Sequence, residues 1–481
     1  MNILSYRGPG APGGVSSGLA RLWAEQKQKS GAWWFIDGNS WQELGHRSEK
    51  PSTLSELDEA LLKGHYRFCN DFLWPVMHDL PQYATLNEGD QRLYRRFNER
   101  IAKLCALRGH AQPIFVQDYQ FALIPRLVRN TSLVFWHIPW PANVLPEHVP
   151  AIREIAVGLL HADTLGFHTN EYARNFLQFV HTHINNCLVD LEENRIYRSV
   201  GSQSSHVMVA GGSPLTIYSN SSIGSLDTGA PDGAQYAVSQ VIAQPLGIDM
   251  DFWSNLVAAG KNELLQSLNL SGQKFVLSVD RADYTKGVAN RFRAIDSFFE
   301  RNPRQRGQLQ FVQVCGRSRA GLTAFDQYWH ECRQLAESTN NRWQIQSDQW
   351  QPIRWLEESL NPAQLAVLYD AASAMLVNPV RDGLNLTAKE YVACQRESAG
   401  ALVLSTRAGV WTELHQHALP VDPNSPVGIA RAVEEALSLS PMERERRMRG
   451  MKQSVRSNSL RTWWQALTEN LSGETAARRS A

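Results

Sequence analysis

The 481-residue sequence predicts an α/β protein made of two doubly wound units. Three observations carry that expectation. Short apolar runs without polar alternation recur along the chain, the pattern of parallel strands buried on both faces. Amphipathic helical stretches separate them. A passage rich in Gly, Ser, Asn and Ala over 201–233 then divides the runs into two groups.

In the first group the strand candidates are Pro113–Gln117 and Leu133–Ile138. In the second they are Phe275–Val279, Leu309–Val314, Ala374–Val377 and Ala401–Leu404, with helices predicted over Val288–Arg301 and Thr387–Glu397. Pro245-Leu246-Gly247-Ile248-Asp249 reads as a turn joining two domains, which assigns 1–245 to the first and 246–455 to the second. A last helix near Leu460–Leu471 carries adjacent Trp463 and Trp464, so it must pack against a neighbour. The tail from Gly473 is small and polar and is expected to fray.

Composition narrows the function. Hydrophobic residues make up 43% and charged residues 20%, as in a soluble globular protein. Lys and Arg total 48 against 47 acidic residues, so no charge imbalance points to nucleic acid or membrane. Anions must therefore be recognised by a few placed cations. The six cysteines are scattered, without a CxxC pair or metal-ligand spacing, which suits free thiols in a reducing cytoplasm. No leader-like segment opens the chain and no apolar run reaches membrane-spanning length. A cytoplasmic enzyme without a metal or a tightly bound cofactor is expected.

Two loops carry the chemistry. Ser278-Val279-Asp280-Arg281-Ala282-Asp283-Tyr284-Thr285-Lys286-Gly287 follows a strand candidate, and its two cations, five residues apart, reach one diphosphate from two sides. The second loop is Asn378-Pro379-Val380-Arg381-Asp382-Gly383-Leu384-Asn385-Leu386, placed just before a helix whose free amides attract an anion. Asp382 repels phosphate, so its expected partner is a sugar hydroxyl, and Glu390 is placed to accept from a ribose. In the first half, Asp118 and His137 follow strand candidates; a lone His beside tryptophans is by itself more often structural. Arg7 opens a loop with Gly13 and Gly14 that is either a phosphate clamp or a plain turn. No glycine fingerprint for a dinucleotide or P-loop is present.

Taken in order, these pieces resemble the trehalose-6-phosphate synthase family of retaining glycosyltransferases, including its glucosylglycerol-phosphate synthase branch. The matching segments are Leu73-Trp74-Pro75, Gln117-Asp118-Tyr119, His137-Ile138-Pro139, Gly166-Phe167-His168, the Arg281/Lys286 loop, Arg381 to Leu386, Ala388 to Val392, and Ala408-Gly409 with Glu413. The resemblance implies two facing Rossmann-like domains of GT-B type, a cleft between them, and a final helix, 456–481, crossing back to join the first. It assigns Arg281, Lys286, Gly383, Asn385, Leu386 and Glu390 to the nucleoside diphosphate, and Asp382 and His137 to the donor glucose. Arg7, Gly14, His65, Trp74, Asp118 and Arg319 are assigned to the acceptor, with Arg7 and Arg319 on its phosphate. Asp118 and His137 join Arg281 and Lys286 as the expected catalytic set.

The acceptor divides the branches. His65 stands where trehalose-forming members carry tyrosine, nine residues before Trp74. Arg7-Gly8-Pro9, His78-Asp79-Leu80-Pro81, Gly166-Phe167-His168 and an excursion over about 185–240 also favour the glucosylglycerol-phosphate branch. Gly13-Gly14 and Arg317-Ser318-Arg319 favour the trehalose branch. The expectation is ADP-glucose and glycerol 3-phosphate, with UDP- or ADP-glucose and glucose 6-phosphate as the alternative. A silent regulatory relative is the further alternative, and a pseudo-glycosyltransferase a small remainder. Without a DxDGT-type aspartate pair, a separate phosphatase is expected to complete the route to a compatible solute; whether the chain forms a homo-oligomer is left open.

Overall fold

In the computed structural model the described residues are 1–481 except 12–13, 26–30, 47, 109–111, 186, 201–234, 258–260, 346–349, 398–399 and 469–481. They group into two units, Met1–Gln244 with the chain from Trp464, and Pro245–Trp463. The predicted passage over 201–233 lies outside the described residues.

The first unit carries ten strands: β1 Asn2–Leu4, β2 Ala32–Asp37, β3 Ser40–Gly45, β4 Ser52–Glu56, β5 Ile114–Gln117, β6 Ser132–Trp136, β7 Thr164–Phe167, β8 Cys187–Asp190, β9 Arg195–Val200 and β10 Gln235–Ala243. They form one sheet in the order β4-β3-β2-β1-β5-β6-β7-β10-β9-β8. From β2 to β10 every neighbour is parallel, and the two edges are antiparallel additions. The central runs are apolar because both faces are covered: all of β5 and β6 is buried. Trp33, Trp34, Trp136 and Trp140 fill this core, none more than 1% exposed.

The second unit carries β11 Lys274–Ala282, β12 Leu309–Arg317, β13 Ile353–Leu356, β14 Ala374–Val377, β15 Ala401–Ser405 and β16 Leu419–Val421. Their order, β13-β12-β11-β14-β15-β16, is parallel throughout. The reversal between β11, which turns back to β12, and β14 is a topological switch point, where ligands bind at strand carboxyl ends. The α/β, two-sheet expectation holds.

Helix Val288–Arg301 has the predicted bounds. Val288, Phe292, Ile295 and Phe299 recur at helical spacing and are buried on the sheet. Its entry depends on Gly287, which adopts φ 68° so that the chain turns from strand to helix. The predicted helix over Thr387–Glu397 instead spans Leu386–Cys394. It stops early because the Gln395 side chain bonds elsewhere, donating to the Tyr369 carbonyl and accepting from Gly400 N. The expected final helix is seen over 460–468, with Trp464 edge-on to Phe115 and Leu467 fully buried. No helix among the described residues is long and apolar enough to cross a membrane.

A Cβ on Gly287 would lie 2.3 Å from the Asn378 carbonyl oxygen, in a backbone conformation that L-residues disfavour. Gly287→Ala should therefore cost about 1–3 kcal/mol. Thermal unfolding followed by circular dichroism checks this, and an unchanged midpoint would show that the turn relaxes freely.

Candidate active site

In the second unit the two predicted loops lie at the carboxyl ends of β11 and β14. Arg281, the penultimate residue of β11, is exposed. The chain then makes a short 3-10 turn, Tyr284–Lys286, capped by Asp283, whose Oδ1 accepts from Thr285 N at 3.0 Å and Thr285 Oγ1 at 2.9 Å. Lys286 Nζ reaches Asp382 Oδ2 at 2.6 Å, with side chains only 13% and 11% exposed. Asn385 takes a left-handed conformation, φ 82°, and caps helix Leu386–Cys394 by accepting from Ala388 N at 3.2 Å. Its Nδ2 donates to Asp382 Oδ2 at 3.1 Å. Lys286, Asp382, Asn385 and the helix amino terminus that starts at Leu386 thus form one cluster.

Glu390, one turn into that helix, accepts from the Tyr369 hydroxyl at 3.1 Å. Gly383 is held by Gly409: a Cβ there would lie 2.0 Å from the Gly383 carbonyl oxygen, so the two loops approach as closely as backbone allows. Arg319 follows β12 with φ 43°, lies 4.8 Å above the Phe325 ring, and donates to Asp283 Oδ2. Burial works to raise the Asp283 pKa, but Arg319, Arg281 and Lys286 outweigh it and hold the carboxyl below its usual range. The structure thus brings Arg281, Lys286, Arg319 and Asn385 together around two carboxylates, Asp283 and Asp382.

In the first unit, Gln117 ends β5, His137 follows β6 and His168 follows β7, a row across adjacent strand ends. His137 Nε2 lies 2.8 Å from Gln117 Oε1, and its Nδ1 lies 3.2 Å from His168 Nε2. Burial lowers the His137 pKa to about 3, so the ring is neutral. Asp118 has φ 69° and ψ 178°, a strained region for any residue but glycine, at a cost of about 1–3 kcal/mol. Its Oδ1 accepts from His137 N at 3.0 Å, which holds that geometry in place. Trp74 is 6% exposed, with Tyr119 at 6.1 Å. Arg7 is exposed just after β1; Gly14 is half-buried at the start of helix Gly14–Glu25, and Gly13 lies outside the described residues.

His65 is a correction. It was expected among the acceptor contacts, but it is wholly buried. Its ring lies 3.8 Å from that of Phe97 and 5.3 Å from that of Tyr94, while Tyr6 stacks at 5.7 Å. Nε2 bonds to the Gln120 carbonyl at 3.0 Å, and burial lowers the pKa to about 4. It supports Tyr6 and the turn after Asp118 instead of meeting a ligand.

Residues 42–473 match the family model of glycosyltransferase family 20. The chain belongs to that family. Among relatives, it is 33% identical to the bifunctional trehalose-6-phosphate synthase/phosphatase of Thermoproteus tenax, over 85% of this chain and 51% of that protein. The chain thus spans about half the length of that relative. It is 30% identical to the trehalose-6-phosphate synthase of Mycolicibacterium smegmatis, over 97% of this chain and 88% of the relative. It also resembles the crystal structure of a UDP-forming α,α-trehalose-phosphate synthase from Burkholderia xenovorans in complex with glucose-6-phosphate. That likeness has a TM-score of 0.81 at 26% identity and covers 98% and 99% of the two chains.

Two charged residues of this family 20 chain were not singled out from sequence. Asp283 read as part of a cation loop, and its shielding by Arg319 depends on a residue that stands beyond the next strand, β12. Lys389, inside the Ala388-Lys389-Glu390 segment, is fully buried and donates to Glu413 Oε2 at 2.8 Å and to the Leu246 carbonyl at 2.9 Å. Its only signal was a Lys between apolar residues of a helix. Lys389→Met leaves Glu413 buried without its cation and should cost about 3–5 kcal/mol, with Lys389→Met/Glu413→Gln recovering most of it. Equal melting temperatures for the single and double variants would contradict this.

His65 and His137 titrate near 6.5 when unfolded but near 4 and near 3 when folded. A lowered folded pKa means the unfolded chain binds protons first. The stability each contributes is full above about pH 6.5 and is lost as pH falls through that window. The melting temperature should drop between pH 7 and pH 5, and less steeply in His137→Gln; identical slopes would assign the drop to other groups.

Proposed function

We propose that this family 20 chain is a retaining glucosyltransferase that moves glucose from a nucleotide sugar to glucose 6-phosphate, giving α,α-trehalose 6-phosphate. The observation that carries the reading is the set of cations on the strand-end loop of the second unit, Arg281 and Lys286, beside the amino terminus of helix Leu386–Cys394. Such a set suits the charge that develops on a departing diphosphate. The names of the Mycolicibacterium and Burkholderia relatives, and the glucose 6-phosphate held by the latter, support the acceptor.

In this reading Arg281, Lys286 and the amides of Asn385 and Leu386 stabilise the leaving nucleoside diphosphate, and Glu390 takes the ribose. Asp382 and His137 hold the transferred glucose. Arg7 and Arg319 take the acceptor phosphate, with Gly14, Trp74 and Asp118 orienting its sugar. The anomeric carbon–oxygen bond to the diphosphate breaks as the acceptor oxygen bonds on the same face, and the acceptor proton passes to the leaving phosphate. The Lys286–Asp382 bond must loosen when donor arrives, because Lys286 then turns to phosphate and Asp382 to sugar. The pair keeps two charged groups placed and compensated beforehand. The setting is the cytoplasm, and a phosphatase, separate or on another part of the protein, would consume the product.

A second reading keeps glycerol 3-phosphate as acceptor and ADP-glucose as donor. It is favoured by Arg7-Gly8-Pro9 and His78-Asp79-Leu80-Pro81. His65 no longer supports it through ligand contact.

Nucleoside diphosphate release by the purified protein, from UDP- or ADP-glucose with either acceptor, separates the readings. Release that depends on glucose 6-phosphate is expected; release with glycerol 3-phosphate alone would install the second reading. Lys286→Ala should lower turnover by about two to three orders of magnitude. Near-normal turnover would remove Lys286 from the donor site.

A further inference from the structure

The three cations of the second unit share one buried carboxylate. Asp283 is 0% exposed, and its Oδ2 accepts from Arg319, itself 9% exposed. Its Oδ1 is fixed by Thr285 N and Thr285 Oγ1, so the carboxylate cannot swing away. Arg281 precedes it by two residues and Lys286 follows by three, with Lys286 N donating to the Asp283 carbonyl at 2.8 Å. Arg319 has a left-handed backbone, φ 43°, and the Phe325 ring on one side, so the ion pair sets where its guanidinium points. The neighbouring acids are otherwise engaged: Asp382 with Lys286, and Asp280 with Arg291.

We infer that Asp283 is a positioning residue, a shared counter-charge that aims Arg319 at the acceptor phosphate and tempers the attraction of Arg281 and Lys286 for the diphosphate. This rests on the roles proposed above for those cations. Its consequence is a coupling between the two anion sites. Whatever draws Arg319 away from Asp283 leaves the whole carboxylate charge facing Arg281 and Lys286, which weakens the hold on diphosphate. Whatever neutralises Asp283 strengthens that hold but releases Arg319. The depressed pKa of Asp283 agrees with a carboxylate kept ionised by these cations.

Two substitutions act in opposite directions on the same probe. Asp283→Asn keeps the shape and the acceptor for Thr285 but removes the charge. It should tighten binding of inorganic pyrophosphate by about three- to ten-fold at low ionic strength and raise the KM of the phosphorylated acceptor by a similar factor. Arg319→Gln breaks the pair from the other side and should weaken pyrophosphate binding by about three- to ten-fold. Both effects should shrink in 0.5 M salt, as partly exposed electrostatics do (roughly a 4 Å screening length). Isothermal titration with pyrophosphate reads these signs without turnover, so a chain inactive toward every acceptor would sink the proposed function while leaving this test intact. If both variants weaken pyrophosphate binding, or neither changes it, Asp283 is only a structural cap and the inference fails. Should Asp283→Asn not fold, Arg319→Gln against Arg319→Lys decides alone: the lysine variant, which keeps the pair, should bind pyrophosphate like the native chain.

Discussion

One buried guanidinium fixes the carboxyl edge of the second sheet. Arg291, 1% exposed, donates to Asp280 Oδ2 at 2.6 Å, Gln313 Oε1 at 2.7 Å and Asn378 Oδ1 at 2.7 Å. Those acceptors stand on β11, on β12 and just after β14. A planar fork of five donors is the group that ties three strands at once; a lysine point charge would not reach all three. Burial raises the Asp280 pKa, while Arg291 and Lys286 oppose it. Removing one member of such a buried pair costs about 3–5 kcal/mol, because the other is left charged away from water. The pair therefore specifies the arrangement more than it adds net stability.

That edge is what lets the loops above it carry closely placed cations. Asn378 Nδ2 donates to the Gly287 carbonyl at 3.0 Å, and Arg291 N donates to the same oxygen at 3.0 Å. The turn after Lys286 is thus pinned from the neighbouring strand and from its own helix. Above it, Lys286 has Asp382 and Arg319 has Asp283. Several cations gathered without such carboxylates would repel one another and drift toward solvent, and each would then have to be ordered again by the ligand. Compensation by carboxylates keeps them placed, and in the proposed reading an incoming phosphate exchanges one anion for another.

Legibility from sequence followed how local each determinant is. The core strands announced themselves as unbroken apolar runs, since β5, β6, β14 and β15 are covered on both faces. Helix Val288–Arg301 was legible to the residue because its apolar spacing and Gly287 both lie within one short window. Strand β1 has three residues, and its existence depends on β2 and β5 at either side, so no window of the chain reveals it. The edge strands β3 and β4 are half-polar and are made by antiparallel pairing, not by their own composition. The site divided in the same way. That Lys286, Asp382 and Asn385 stand together was readable because strand-end and helix-start signals lie next to them. The Asp283–Arg319 and Lys389–Glu413 pairs were not, since each partner lies on a different element and only the fold brings them together.

His65 shows where matching positions stops being chemistry. A substitution nine residues before Trp74 looked like a change of ligand, because in a one-dimensional comparison every polar residue near a site is a candidate contact. The side chain instead fills an aromatic pocket of Tyr6, Tyr94 and Phe97, where an imidazole is neutral and bonds one carbonyl. Under the proposed function, any influence it has on the acceptor passes through what it supports. Tyr6 rests against it and is followed directly by Arg7, the exposed cation after β1, and Gln120 lies in the turn that Asp118 caps with a strained backbone. Burial raises the Tyr6 pKa, so that ring stays neutral. In the proposed reading, discrimination between two phosphorylated acceptors then falls to the placement of Arg7 and Asp118, set by packing beneath them, and not to the identity of the buried histidine.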